Sequence, residues 1–292
     1  MRKSRVVSYL VILTCVVFVM SACSSRQLGY RYAEQLISWQ VGRYVTLDSE
    51  QRTLLREELD SFLQWHAENE MPEYLLALHH IYRDANRSEI TEDDLYHHAQ
   101  MMGKFWLSAR TALVQPSIRL LSTLTDDQVD ELFSAIEERR QERREEARER
   151  TQEDIYEMRQ DSMESQVRDF MGRPNRGQRE LIGAWSRQLK SVGPMWTEYN
   201  DRWFEEFRAA MDARHDTERF AQRIEALWVE PEVLRNPEMD PILQANTEAT
   251  MAMMVQLHGS MTDRQRQRLM RNIDGYRRDI MGMMRQRGAL PQ

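Results

Sequence analysis

The side chains best suited to chemistry are a set of imidazoles: His79-His80, His97-His98 and, upstream of them, His66. Neutral imidazole is a good ligand for zinc or copper, and Glu68, Glu70 and Asp94 lie near these histidines in sequence. Two adjacent histidines on a helix point about 100° apart, so neither pair can close on one ion by itself. A metal site therefore requires the helices bearing them to pack antiparallel. Met251, Met254, His258 and Met261 fall on one helical stripe, and Met281, Met283 and Met284 follow it. Thioethers bind Cu(I), but adaptable core packing or a forgiving, hydrophobic client groove accounts for such a stripe better. Trp185, Trp196, Trp203 and Trp228 read as core in the same way. No Gly-rich phosphate loop, His-Glu-x-x-His or Gly-x-Ser-x-Gly stands in the chain, so no catalytic residue is assigned and the protein is read as a non-enzyme.

Arginine and glutamate make the second pattern. From Glu137 to Asp154 the one apolar residue is Ala147. Wound as a helix, Glu138, Glu142, Glu145, Glu146, Glu149 and Glu153 share one side. Arg139, Arg140, Arg143, Arg144, Arg148 and Arg150 share the other. The arginine side continues the apolar stripe of Val129, Leu132, Phe133 and Ile136. Such a helix serves as a solvated connector. Alternatively Arg139, Arg140, Arg143, Arg144 and Arg148 form an interaction surface for an acidic partner: another copy, a client protein of the envelope, or lipopolysaccharide phosphates.

Cysteine use fixes the expected compartment. Arg2, Lys3 and Arg5 precede an apolar run from Val6 to Met20, and Met20-Ser21-Ala22-Cys23 follows it. That order is a signal peptide over residues 1–22, its run shorter than the ~20 residues a spanning helix needs. The small residues before Cys23 resemble a bacterial lipoprotein signal, with Met20 where Leu is usual. The resemblance implies that Cys23 becomes the acylated N-terminus, and that Ser24-Ser25, in place of Asp, sends it to the outer membrane on its periplasmic face. Removal of the signal takes 40 basic residues to 37 against 47 acidic ones, a net charge of −10. That excludes nucleic acid as an expected partner and leaves the membrane, reached through the lipid.

Elements that position these groups follow the 3.6-residue rhythm throughout, with few prolines and glycines, which predicts an all-α fold. Residues 23–27 form a lipidated tether and 28–123 an N-terminal helical lobe, in which Tyr30, Ala33, Leu36, Ile37 and Tyr44 share a buried stripe. One helix is expected to end near Trp65-His66, with Pro72 opening the next, and Pro116 is expected to kink or break another. Leu124 to Met171 runs without Pro or Gly, which predicts one long charged helix of ~70 Å. Residues 172–292 form a C-terminal helical lobe.

Asp48-Ser49-Glu50-Gln51, Thr125-Asp126-Asp127-Gln128, Asn175-Arg176-Gly177-Gln178 and Thr262-Asp263-Arg264-Gln265 repeat one arrangement. A capping side chain stands first and Gln three residues later, which is a capping box. Leu124-Thr125-Asp126-Asp127-Gln128 resembles the LTxxQ motif of the periplasmic stress chaperones Spy and CpxP, helical cradles that bind unfolded proteins and in one branch zinc. Met261 to Gln265 is a looser copy.

A wider likeness rests on Tyr30 to Tyr44, Leu47 to Gln51, Trp65-His66, Met71-Pro72-Glu73-Tyr74, Gly172 to Gln178, Trp185-Ser186 and Trp203. These resemble a family of proteobacterial lipoproteins classed as a domain of unknown function. Ala67 and Met71 stand where that family often has Arg and Leu. The resemblance implies a lipid-anchored helical envelope protein with no assigned activity or cofactor. A binding or chaperone-like role is the expected function. A metal-binding envelope-stress protein and an envelope hydrolase are the alternatives.

Overall fold

The computed structural model describes residues 23–290, predominantly helical with no strand among them. The expected signal over residues 1–22 lies outside the described residues, as does the side chain of Cys23. The helices are α1 (Cys23–Arg31), α2 (Ala33–Val41), α3 (Ser49–Trp65), α4 (Met71–Ala85), α5 (Glu92–Ala112), α6 (Val114–Leu121) and α7 (Asp126–Arg148). They continue as α8 (Gln152–Phe170), α9 (Arg176–Gln188), α10 (Gly193–Asp212), α11 (Thr217–Val229), α12 (Met239–Gly259) and α13 (Asp263–Gln286).

Two expected boundaries move. No break separates α3 from α4; a single π-helical turn, His66–Glu70, joins them, and Met71 N–H reaches back to the His66 carbonyl. Pro72 is the reason: it has no N–H for the carbonyl four residues back and its ring clashes with that carbonyl, so a wider turn relieves both. In turn, the single helix expected over 124–171 is two helices. Thr151 caps α8, accepting from Asp154 N–H while the Asp154 carboxylate accepts from Thr151 N–H at 2.8 Å. Thr-Gln-Glu-Asp is thus a start signal inside a charge-rich stretch. Other signals act where expected. α5 gives way to α6 three residues before Pro116, and Gly172, at φ +94°, ends α8 in the left-handed conformation that suits glycine.

The compact units are not consecutive lobes. Among the described residues one takes 23–72, Thr123–Arg150 and 275–290; the other takes Glu73–Ser122 and Thr151–Asp274. In the first, Leu55, Leu59 and Leu63 of α3 and Val129, Leu132 and Phe133 of α7 are buried. Its first and last segments are joined by Asp279, which is 2% exposed: its carboxylate accepts from Arg26 Nη1 at 2.8 Å and from Gln27 Nε2 at 3.1 Å. In the second unit Val167, Met171, Ile182, Trp185, Met253 and Leu257 form one apolar cluster.

The four Gln boxes pair, two to a unit, and the pairs are built alike. In the first unit Gln51 Nε2 donates to Gln128 Oε1 at 2.8 Å and Gln128 Nε2 donates back to Gln51 Oε1 at 2.7 Å. Each oxygen also accepts from the N–H of its own cap residue, Asp48 or Thr125. Each Nε2 also donates to the carbonyl two residues before the partner's cap, Thr123 or Thr46. In the second unit Gln178 and Gln265 exchange bonds of 3.1 and 2.9 Å. Their caps are Asn175 and Thr262, and the carbonyls are those of Ser260 and Arg173. A carboxamide does this because it donates and accepts at one terminus. Asp94 and Asp154, in the exposed boxes at Thr91 and Thr151, can only accept.

Gln178 is 1% exposed, so removing its amide leaves buried partners unsatisfied. We expect Gln178→Met to cost about 2–4 kcal/mol in chemical denaturation. The Gln178→Met/Gln265→Met double variant should cost clearly less than the sum of the single ones; additive losses would show that the two amides do not act as a pair.

Candidate functional site

Where the expected imidazoles sit decides what they can do. His66 lies on the π turn, 8% exposed. Phe62 stacks on it at 6.0 Å, and the Tyr30 hydroxyl, which donates to the Leu63 carbonyl at 2.8 Å, lies 3.4 Å from His66 Nδ1. Burial pushes the imidazole down from its ordinary 6.5 to about 4. Burial also pushes the Tyr30 hydroxyl up to about 12, against the opposing charge of Arg287. Both groups are thus neutral across the physiological range and enclosed, which suits them to packing and hydrogen bonding.

In the other unit the rings of His79 and His80 lie 5.9 Å apart, and those of His97 and His98 6.1 Å apart. Among the described residues no three His, Cys, Asp or Glu side chains gather as a metal would need. What assembles instead is a dyad with no signature in the spacing of its residues. His98 Nε2 lies 3.1 Å from Asp84 Oδ2, with side-chain exposures of 13% and 8%. Burial lowers the His98 pKa, Asp84 pulling the other way. For Asp84, burial acts upward but is outweighed by the Arg83 hydrogen bond and charge and by His98, so its carboxyl is held below the ordinary range. At the end of α4, Arg266 Nη1 donates to the carbonyls of Ala85 and Arg87 at 3.0 and 2.8 Å, and His258 Nε2 lies 3.1 Å from Ala85 O. A cation and an imidazole N–H are what a helix C-terminus takes up. His258, placed on a methionine stripe by spacing, is therefore a cap; of that stripe Met251 is buried and Met254 is 40% exposed. Trp203 and Trp228 stack at 5.8 Å as core aromatics do, whereas Trp196 is 38% exposed.

The arginine face is not one surface. Arg139 lies over the Tyr44 ring at 3.8 Å and donates to the Arg43 carbonyl. Arg140 is 8% exposed and pairs with Glu137 at 2.6 Å. These two continue the buried stripe of Val129, Leu132 and Phe133, so the same helical phase that aligned them turns them inward. Arg143 and Arg144 are half-buried, Arg144 lying 3.5 Å from Glu137, and Arg148 is exposed.

His66 gives a pH dependence whose sign is fixed. Its folded pKa lies below its unfolded one, so between pH 6.5 and 4 the unfolded chain binds a proton that the folded chain refuses. Stability from this group is complete above pH 6.5 and falls as pH drops, by about 3 kcal/mol at pH 4. Urea denaturation should show that component in the wild type and not in His66→Phe.

Residues 43–240 match the model of a family of unknown function, DUF6279. No curated protein and no solved structure matches the chain.

Proposed function

The chain belongs to DUF6279, a family of unknown function, and we propose that it is a lipid-anchored envelope protein that faces the periplasm and acts by binding rather than by turnover. The observation that carries this reading is Met20-Ser21-Ala22-Cys23 behind a basic and apolar segment. Ser24-Ser25 supports the outer membrane as its destination. The net charge of −10 left after residue 22 suits a body held at an anionic membrane by an acyl chain rather than by its own field. Helix α1 begins at Cys23, so the folded part starts where the anchor ends.

A binding role is supported by the condition of the polar groups. His66, Asp84, His98 and His258 are enclosed and engaged with aromatic rings, counter-charges or helix ends. Such groups hold structure. The surface left for a partner includes Arg148, with Arg143 and Arg144 half-exposed beside it.

Intact mass of the natively purified chain tests the anchor. We expect a chain beginning at Cys23 with diacylglyceryl and N-acyl mass added, and flotation with outer-membrane vesicles that Cys23→Ser abolishes. A chain that keeps Met1, or carries no acyl mass at residue 23, overturns the reading.

A further inference from the structure

α1 and α2 are apolar on two sides. Tyr30 (6% exposed) and Ala33 (9%) face the unit's interior. On the other side Leu28, Tyr32, Leu36 and Trp39 are 50%, 49%, 51% and 64% exposed. Leu36, expected in the buried stripe, is thus on the outside. The helical ladder crosses the turn at Tyr32, whose N–H bonds to Leu28 O at 3.1 Å and whose carbonyl accepts from Leu36 N–H at 3.0 Å. The four side chains therefore fall within about 80° of arc. Exposed positions recur at 28, 31, 32, 35, 36, 39, 42 and 43, the spacing of a continuous helical face. Its charged members are Arg31 and Arg43, with no acid among them, although acids outnumber basic residues in the whole chain. Arg43 sits 5.3 Å over the Trp39 ring.

The chain preceding this face says what covers it. Val6 to Met20 is apolar and ends at the small residues before Cys23. Whether by acyl chain or by that run, the bilayer is then met at residue 23, five residues before Leu28. Were α1 and α2 upright, Trp39 would stand about 24 Å from the anchor at ~1.5 Å per residue, and its apolar face would lie in water. Lying flat, all four side chains reach the membrane at once. Tyr and Trp favour the level of the headgroups, and Arg can meet phosphate there while its stem stays apolar.

We propose that α1 and α2 lie along the bilayer surface, with Leu28, Tyr32, Leu36 and Trp39 in the headgroup–acyl boundary and Arg31 and Arg43 on lipid phosphates. This rests on membrane attachment at residue 23, and it adds an orientation: the first unit is held against the lipid by a protein face as well as by its tether.

The test uses the full chain, matured and purified from membranes, in vesicles of phosphatidylethanolamine and phosphatidylglycerol carrying brominated acyl chains. We expect bromine to quench a component of the tryptophan emission that is missing in Trp39→Phe and reduced in Leu36→Glu. Both substituted positions are exposed, so circular dichroism should match the wild type. Equal quenching in wild type and Trp39→Phe overturns the docking, as does a chain on vesicles whose Trp39 is shielded from bromine by a second copy. A chain that floats with the vesicles but shows no Trp39 component refutes the docking and leaves the anchor standing. A chain that does not float refutes both.

Discussion

Two helix N-termini brought face to face present positive dipole ends and unpaired N–H groups to each other. Each unit is organised around a solution to that problem, a reciprocal pair of glutamine amides. Gln51 with Gln128, and Gln178 with Gln265, each satisfy a cap, a partner amide and a loop carbonyl at once. Acids at Asp48, Asp126, Asp127 and Asp263 place negative charge where those dipoles meet. An apolar residue just before each cap, Leu47, Leu124, Pro174 or Met261, is buried or half-buried beside the pair. Because Gln51, Gln178 and Gln265 are buried and Gln128 is half-buried, their bonds are stronger than in water and costlier to leave unmade, so the network fixes how the paired helices start.

The boxes themselves were legible, since a capping residue and a glutamine three positions later is a local pattern. Their pairing was not. Nothing in the sequence relates Gln51 to a residue 77 positions away or Gln178 to one 87 away, and a carboxamide that closes its own box has donors left over that only tertiary structure can place. Helix identity, the break before Pro116 and the stop at Gly172 were legible for the same local reason. The start at Thr151 was also written locally, but good helix formers on both sides concealed it. The π turn at His66 needed Pro72 to be read as a bulge in a helix rather than as a beginning. The interleaving of the units left no local trace.

The candidate groups divide on similar lines. Adjacent histidines showed where imidazoles lie, but not that His98 would face Asp84 or that His258 would close the end of α4. Those are partnerships between helices far apart in sequence. For the arginines, phase was readable and depth was not: Arg139 and Arg140 lie on the continuation of a buried stripe, and their long stems let charge follow apolar residues inward. On α1 and α2 the stripe was read correctly at Tyr30 and Ala33 and wrongly at Leu36, because an apolar helix with two faces gives no clue which is inside.

Asp279 is held by Arg26 and Gln27, more than 250 residues upstream. A ribosome delivers those arginine and glutamine residues some 250 residues before the aspartate, so this junction of the first unit cannot close until residue 279 has emerged. Joining ends that far apart costs on the order of 5 kcal/mol in chain entropy. Until then Gln64 and Asp60 on α3 also lack Arg287, whose carbonyl accepts from Gln64 Nε2 and whose guanidinium donates to the Asp60 carboxylate. Such a layout makes closure of the first unit wait on its C-terminal segment, however early its N-terminal helices form.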